Sequence, residues 1–315
     1  MALGARGALA ALTTVGALCA PSLAHADGDE AHSLLLHESA PGLGMTSAGV
    51  GLSGRREGGA DVPAAAGVLT IAGVPAGAAV THAYLYWVTY GTAPDASVEL
   101  NGQAVAGALI GTSADTCWSD FENVNGLNYV HRADVTAMVT GNGAYTITGF
   151  PSATPTADTQ GASLVVVYDD PADAVLGTVL VHDGAMTAIG NGMVGDTFVA
   201  IEAPSTILDA TFRIGAGDGQ SSKSDGDLDF AGEELPAPVG DHWGDSDGFY
   251  WDDRSYDVAD ILGPSVVDAE WQATMNTDCV VFAYAALARP AQLSRPSSTP
   301  SPSPSTISAR NASAA

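Results

Sequence analysis

Positive charge is nearly missing from this chain of 315 residues. Lys and Arg number 10 against 36 Asp and Glu, a net charge of −26, and Lys223 is the one lysine. A surface so acidic repels nucleic acid and anionic lipid, so neither is expected as a partner. Cysteine is scarce, with three residues, and two of them without a nearby His cluster do not make a zinc site. Reactive motifs are missing as well. The histidines are scattered with no HExxH pair, Gly161-Ala162-Ser163-Leu164 does not match a nucleophile elbow, and Lys223 has no phosphate-loop context. Carboxylates are so many that choosing two as a glycosidase pair would be arbitrary. The chain therefore leans away from being an enzyme. Between residues 63 and 289 no long apolar stripe of helical period appears. After residue 26 no run reaches the roughly twenty apolar residues of a spanning helix.

What is present begins with a leader. Residues 1–26 carry Arg6, an Ala/Gly-rich apolar stretch from Gly7 to Leu23, and Ala24-His25-Ala26 at the end. Small-x-small after an apolar stretch is the pattern a signal peptidase cuts. The mature protein is expected to begin at Asp27, to be secreted or associated with the cell surface, and to insert nothing in the membrane after cleavage. Cleavage would also remove Cys19, leaving Cys117 and Cys279. In an oxidising compartment that pair suggests one disulfide, with two buried thiols as the alternative. At the other end, residues 290–315 form a Pro/Ser/Thr tail with little to bury, expected to be disordered or extended.

The body of the chain has the marks of an all-β protein. THAYLYWVTY from Thr81 is apolar on both alternating faces, so a central strand buried on both sides is expected. Asn101-Gly102 between two short apolar segments signals a hairpin. SLVVVY from Ser163 and CVVFAY from Cys279 are further core strands. Many short strands with turn signals between them predict a jelly-roll-like β-sandwich. Order also recurs. AYLYW from Ala83, the turn at Gly102, Asp134 and Ser163 are followed by ATFRI from Ala210, a turn at Gly232, Asp257 and Cys279. Two duplicated sandwiches packed side by side would give this, and so would the alternation common to any two sandwich halves. The expected division is an irregular N-terminal arm or edge strand over 27–62, a first sandwich over 63–205, and a second with acidic loops over 206–289.

Several segments together, AYLYWVTYG, VELNGQ, RADVTAMVTGNGAYTITG, GASLVVVYDDP and DGFYWDDRSYDV, resemble an uncharacterised family of secreted β-rich domains in bacterial and archaeal surface proteins. The resemblance covers roughly residues 65 to 288. It implies an extracellular structural or adhesive role and brings no catalytic residues.

The densest chemistry lies between Asp218 and Asp257, where twelve carboxylates face only Lys223 and Arg254. Two clusters, Asp218, Asp225, Asp227 and Asp229, then Asp245, Asp247, Asp252 and Asp253, sit among glycines and small polar residues. Such loops supply the adaptable oxygen shell of Ca²⁺, although neither follows the EF-hand pattern. The competing expectation is solvated loops and structural Asx-turns. Trp243, Tyr250 and Trp251 lie in the same region. They either stack on sugar rings or pack beneath the loop. The expectations are thus a secreted, Ca²⁺-stabilised β-sandwich with a structural or adhesive role, meeting an extracellular protein or glycan. The alternative is a glycan-binding module or carbohydrate-active enzyme on a jelly-roll scaffold.

Overall fold

A computed structural model gives the fold. It describes residues 32–53, 66–113, 126–150, 157–201, 206–207, 209–237, 241–263 and 266–292. The leader, Cys117 and the tail beyond residue 292 lie outside them.

The described strands run in chain order as follows. The first five are β1 (Ser33–Pro41), β2 (Leu43–Gly51), β3 (Gly67–Ile71), β4 (Ala79–Gly91) and β5 (Ser97–Leu100). Next come β6 (Gln103–Ala106), β7 (Ala108–Ser113), β8 (Leu127–Asp134), β9 (Gly143–Thr148) and β10 (Ala157–Asp169). Then follow β11 (Leu176–Ile189), β12 (Met193–Phe198), β13 (Thr206–Ile207), β14 (Thr211–Gly217) and β15 (Asp225–Phe230). The last are β16 (Glu233–Glu234), β17 (Trp251–Asp257), β18 (Ala269–Met275) and β19 (Cys279–Gln292). A short helix, α1 (Ala259–Leu262), follows β17.

Four antiparallel sheets result. Two large ones have the orders β2-β10-β4-β8-β7 and β1-β11-β19-β14-β17, and two small ones β3-β9-β5-β6 and β12-β18-β15-β16. The orders repeat. Setting β2, β3, β4, β5, β6, β8, β9 and β10 against β11, β12, β14, β15, β16, β17, β18 and β19 maps each large sheet onto the other and each small sheet onto the other. In both sets the first strand lies beside the eighth, then the third and the sixth, and the facing sheet holds the second, seventh, fourth and fifth. That is the double Greek-key winding of a jelly roll. The duplicated landmarks fall on equivalent elements. Asn101-Gly102 turns β5 into β6 and Ala231-Gly232 turns β15 into β16, all four with positive φ. Asp134 ends β8 and Asp257 ends β17. Ser163 lies in β10 and Cys279 opens β19.

The two jelly rolls stack broad face to broad face, not edge to edge. Each large sheet is buried on both sides. Leu85, Trp87, Leu164 and Val166 face Leu69, Leu100 and Ile147 of one small sheet. Phe212, Ile214, Phe282 and Leu287 face Phe230 and Trp271 of the other. Between the large sheets, Tyr84, Tyr86, Val165 and Val167 meet Val179, Val181, Tyr284 and Ala286. β4 is buried at nine consecutive positions, as expected of a strand with two apolar faces.

Of the arm expected over 27–62, irregular or an edge strand, the described residues 32–53 take the second form: β1 and β2 are edge strands, one in each large sheet. The changeover between sandwiches falls after β10, not at residue 205, because β11 and β12 pair with β19 and β18 of the second. Pro290 also belongs to β19 and not to the tail.

Candidate functional site

The acidic stretch divides into two parts with different chemistry. In the first, Asp225-Gly226-Asp227-Leu228-Asp229-Phe230 is strand β15 and not a ligand loop. Alternation explains it: Leu228 and Phe230 are buried. A register shift between Asp225 and Leu228 turns Asp225 to the inner side while Asp227 and Asp229 lie on the outer one, so the three do not curl around one ion by themselves. Asp229 pairs with Glu234 across the hairpin. Asp218 is buried, with φ +73°. A cavity of about 310 Å³ opens beside β15, lined by Lys223, Asp225, Asp227, Glu234, Asp241 and His242 among others. Its two inner carboxylates converge on one amide. Trp243 N donates to Asp225 Oδ2 at 2.8 Å and to Asp241 Oδ1 at 3.2 Å. Asp225 Oδ1 is buried and meets no hydrogen-bond donor among the described residues, and the Asp241 carboxylate stands beside Asp225. Burial, then that neighbour, pushes Asp225 up to about 9. Behind it burial pushes Asp278 up to about 7, although the amides of Cys279 and Gln220 donate to it at 2.8 and 2.9 Å.

The second part is folded inward on its own carboxylates. Asp245 Oδ1 accepts from Tyr250 N at 2.7 Å, and Oδ2 from Ser221 Oγ at 3.0 Å. Asp247 Oδ2 accepts from Asp253 N at 2.7 Å. Asp252 accepts from Ser246 N at 2.7 Å and pairs with Arg254 at 3.1 Å. Its burial still pushes it up to about 6. Asp253 reaches across to the first jelly roll. Oδ1 accepts from Ser47 Oγ at 2.6 Å, and Oδ2 from Ser163 Oγ at 2.6 Å and Tyr284 OH at 2.7 Å. Burial holds its carboxyl above the ordinary range. These four acids therefore accept from amides and hydroxyls of the protein itself, over spans longer than an Asx-turn. Among the described residues no three His, Cys, Asp or Glu side chains converge closely enough to hold a metal ion.

The aromatics are not surface platforms. Trp243 and Trp251 are 1% and 0% exposed, and Tyr250 is 3% exposed. Trp243 packs edge-on against Phe282, with ring centres 5.0 Å apart. Trp251 Nε1 donates to Ser163 Oγ at 3.0 Å. The expectation of sugar stacking by these rings is corrected: a loop hugging its own carboxylates pulls them under it. His131 is buried against Trp87, and its pKa falls to about 4 through burial. His182 bonds Asp196 at 2.7 Å, while Asp183 takes the Tyr86 hydroxyl and Arg132. These are core pairs. Cys279 is not a free thiol; Cys117 lies outside the described residues. Sequence reading did not single out Asp278, nor the set Ser47, Ser163 and Tyr284. No local pattern marks groups drawn from such separate strands.

The family model described as "Protein of unknown function (DUF3344)" matches residues 59–288. The chain belongs to the DUF3344 family. The match leaves out β1 and β2, although both complete large sheets. No curated protein matches the chain. Among solved structures it is similar to a β-porphyranase of glycoside hydrolase family 86 from the human gut bacterium Bacteroides plebeius. The identity there is 14% and the TM-score 0.28, over 66% of this chain and 30% of that one. A second family 86 structure, in complex with neoagarooctaose, gives 12% and 0.30 over 71% and 34%. The chain thus spans about a third of the length of these hydrolases. The major capsid protein of bacteriophage PM2 gives 10% and 0.22, over 79% and 98%. No described helix of this DUF3344 chain is long and apolar enough to cross a membrane.

Proposed function

We propose that this DUF3344 protein is a secreted or surface-associated structural module with an adhesive role, whose acidic cavity takes up Ca²⁺. One observation carries the calcium reading. Asp225 and Asp241 crowd one amide, with Asp227 and Glu234 on the same cavity and Asp278 behind. Such a group needs either retained protons or a hard cation to relieve its repulsion. Asp227 and Glu234 are exposed, so their side chains are free to swing toward an ion. Support for an extracellular setting is the leader pattern and the bonded state of Cys279, with Cys117 as its proposed disulfide partner.

The test is thermal unfolding of the mature protein in EDTA, in millimolar Ca²⁺ and in millimolar Mg²⁺. Saturation at a hundred times the dissociation constant stabilises the fold by about 2.7 kcal/mol, so a Ca²⁺-specific rise in Tm is expected. Asp225→Asn should abolish that rise, whereas Asp245→Asn should leave it. No shift, or an equal one with Mg²⁺, would remove calcium from the proposal.

A further inference from the structure

The first and last described strands lie on either side of the same neighbour. β1 and β19 both pair antiparallel with β11, so they run parallel to each other. Ser33 of β1 and Tyr284 of β19 are both opposite Asp183; Pro41 and Ala291 are both opposite Leu176. The chain therefore enters β1 toward one end of β11 and leaves β19 at the other. Tension between the flanking segments pulls these strands along their own axes in opposite senses. Antiparallel hydrogen bonds lie perpendicular to the strands, so such a pull loads a whole ladder at once instead of opening it pair by pair.

From this we propose that the sheet β1-β11-β19 is a shear clamp and that the protein bears mechanical load along its chain. The proposal extends the structural role argued above and rests on it. The load path runs from β1 through β11 to β19, and the first jelly roll touches it through His82 and the core between the large sheets. β19 is the better held, since it also pairs with β14. β1 relies on β11 and three side-chain locks. Leu36 sits in the core between the jelly rolls. Glu38 meets His82 at 3.0 Å, and Ser39 Oγ meets Thr178 Oγ1 at 2.9 Å. Its other end is fixed at Gly42, whose φ is +77°. There Gly42 N donates to Val175 O and Asp170 N donates to Gly42 O, at 2.8 and 2.9 Å. A Cβ there would stand 2.1 Å from Asp170 O, so only glycine makes this junction.

Single-molecule force spectroscopy on the full chain tests the clamp by changing only the pulling axis. One arrangement holds the two termini. The other holds the N-terminus and a chemical handle at the exposed Met193, just past the end of β11 that faces Ser33. The second peels β1 from β11 one pair at a time. Rupture between the termini is expected at a force at least about twofold higher than the peeling force, because the ladder bonds share the load. Its first step should release the nine residues of β1, an extension of at most about 3 nm. Equal forces in the two arrangements, or a first step that opens the jelly roll instead, would overturn the clamp. Both arrangements use the same folded protein, so neither result is confounded by misfolding. Equal forces would also leave the calcium-dependent melt unaffected, and a calcium-insensitive melt would leave the clamp intact.

Discussion

A carboxylate in this protein is defined by the donors that reach it. Asp245, Asp247, Asp252 and Asp253 share their composition with any cation loop, yet each accepts from a backbone amide or a hydroxyl within the fold. Positive φ at Asp245 and Tyr250, both +63°, turns the loop so that those amides point inward. Nothing in the letters D, S, G and Y announces that turn, so the density of acid was legible while its direction was not. The same holds for Trp251, which the sequence left between a sugar platform and the core. As a fully buried ring it predicts a large effect: Trp251→Ala should destabilise the protein by about 3–5 kcal/mol in urea unfolding. A surface ring would cost within about 0.5 kcal/mol, and a loss that small would contradict the packing. Asp253→Ala should also weaken the fold, because Ser47, Ser163 and Tyr284 lose their common acceptor, at about 1–3 kcal/mol for each group left unsatisfied. Asp253→Asn keeps one acceptor oxygen and should cost less. If the two variants unfold at the same urea concentration, the carboxylate does not join the jelly rolls.

Elements were legible where apolar residues run on without polar interruption. β4, β10 and β19 are such runs, because each large sheet is covered on both faces. β1 and β2 were less so: β2 is built largely of small residues, and β1, although Leu34 to Leu36 stand in a row, buries only Leu36. β15 hid for a related reason: Asp227 and Asp229 line its outer face, and Asp225, turned inward by the register shift before Leu228, adds a third acid to a segment whose inner side is Leu228 and Phe230. The repeat was legible through its turns more than its strands. Asn101 and Ala231 occupy the same hairpin position, both at φ +50°. Asp134 and Asp257 each cap the amide two residues on, at Thr136 and Ala259, at 2.9 and 3.1 Å. The copies differ in quality, because alanine resists the left-handed region and asparagine tolerates it. Ala231→Asn, which gives the second hairpin the Asn-Gly of the first, should stabilise the protein by about 0.5–1 kcal/mol. Asn101→Ala should destabilise it by a similar amount. Chemical unfolding of both variants checks the equivalence, and a loss of stability from Ala231→Asn would count against it.

At the scale of the whole molecule, a chain carrying −26 charges holds several of its acids where ionisation is unfavourable. Burial raises Asp278 to about 7, Asp252 to about 6 and, with Asp241 beside it, Asp225 to about 9. A carboxyl whose folded pKa lies above its unfolded value stabilises the fold at low pH, and that contribution is lost as pH rises through the folded value. The buried histidines act the other way. His32 and His242 are lowered and His131 falls to about 4, all chiefly through burial. Their contribution is present above the unfolded value of 6.5 and lost as pH falls toward the folded one. Between pH 4 and 6 the two sets oppose each other and stability should change little. Above pH 6.5 the histidines are neutral in both states, while Asp278 and Asp225 still lose protons in the folded form, and Asp253 is held above the ordinary range in the same direction by burial. In EDTA the melting temperature is therefore expected to fall steadily from pH 6.5 to pH 9. A cation in the cavity would replace the proton held by Asp225, so saturating Ca²⁺ should flatten the upper part of that fall while leaving the step near pH 7 from Asp278. Calorimetry across this range with and without Ca²⁺ separates the two. A melting temperature that rises from pH 7 to 9 in EDTA would mean that these carboxyls are already ionised, and that the repulsion proposed to draw in the cation is relieved by solvent instead.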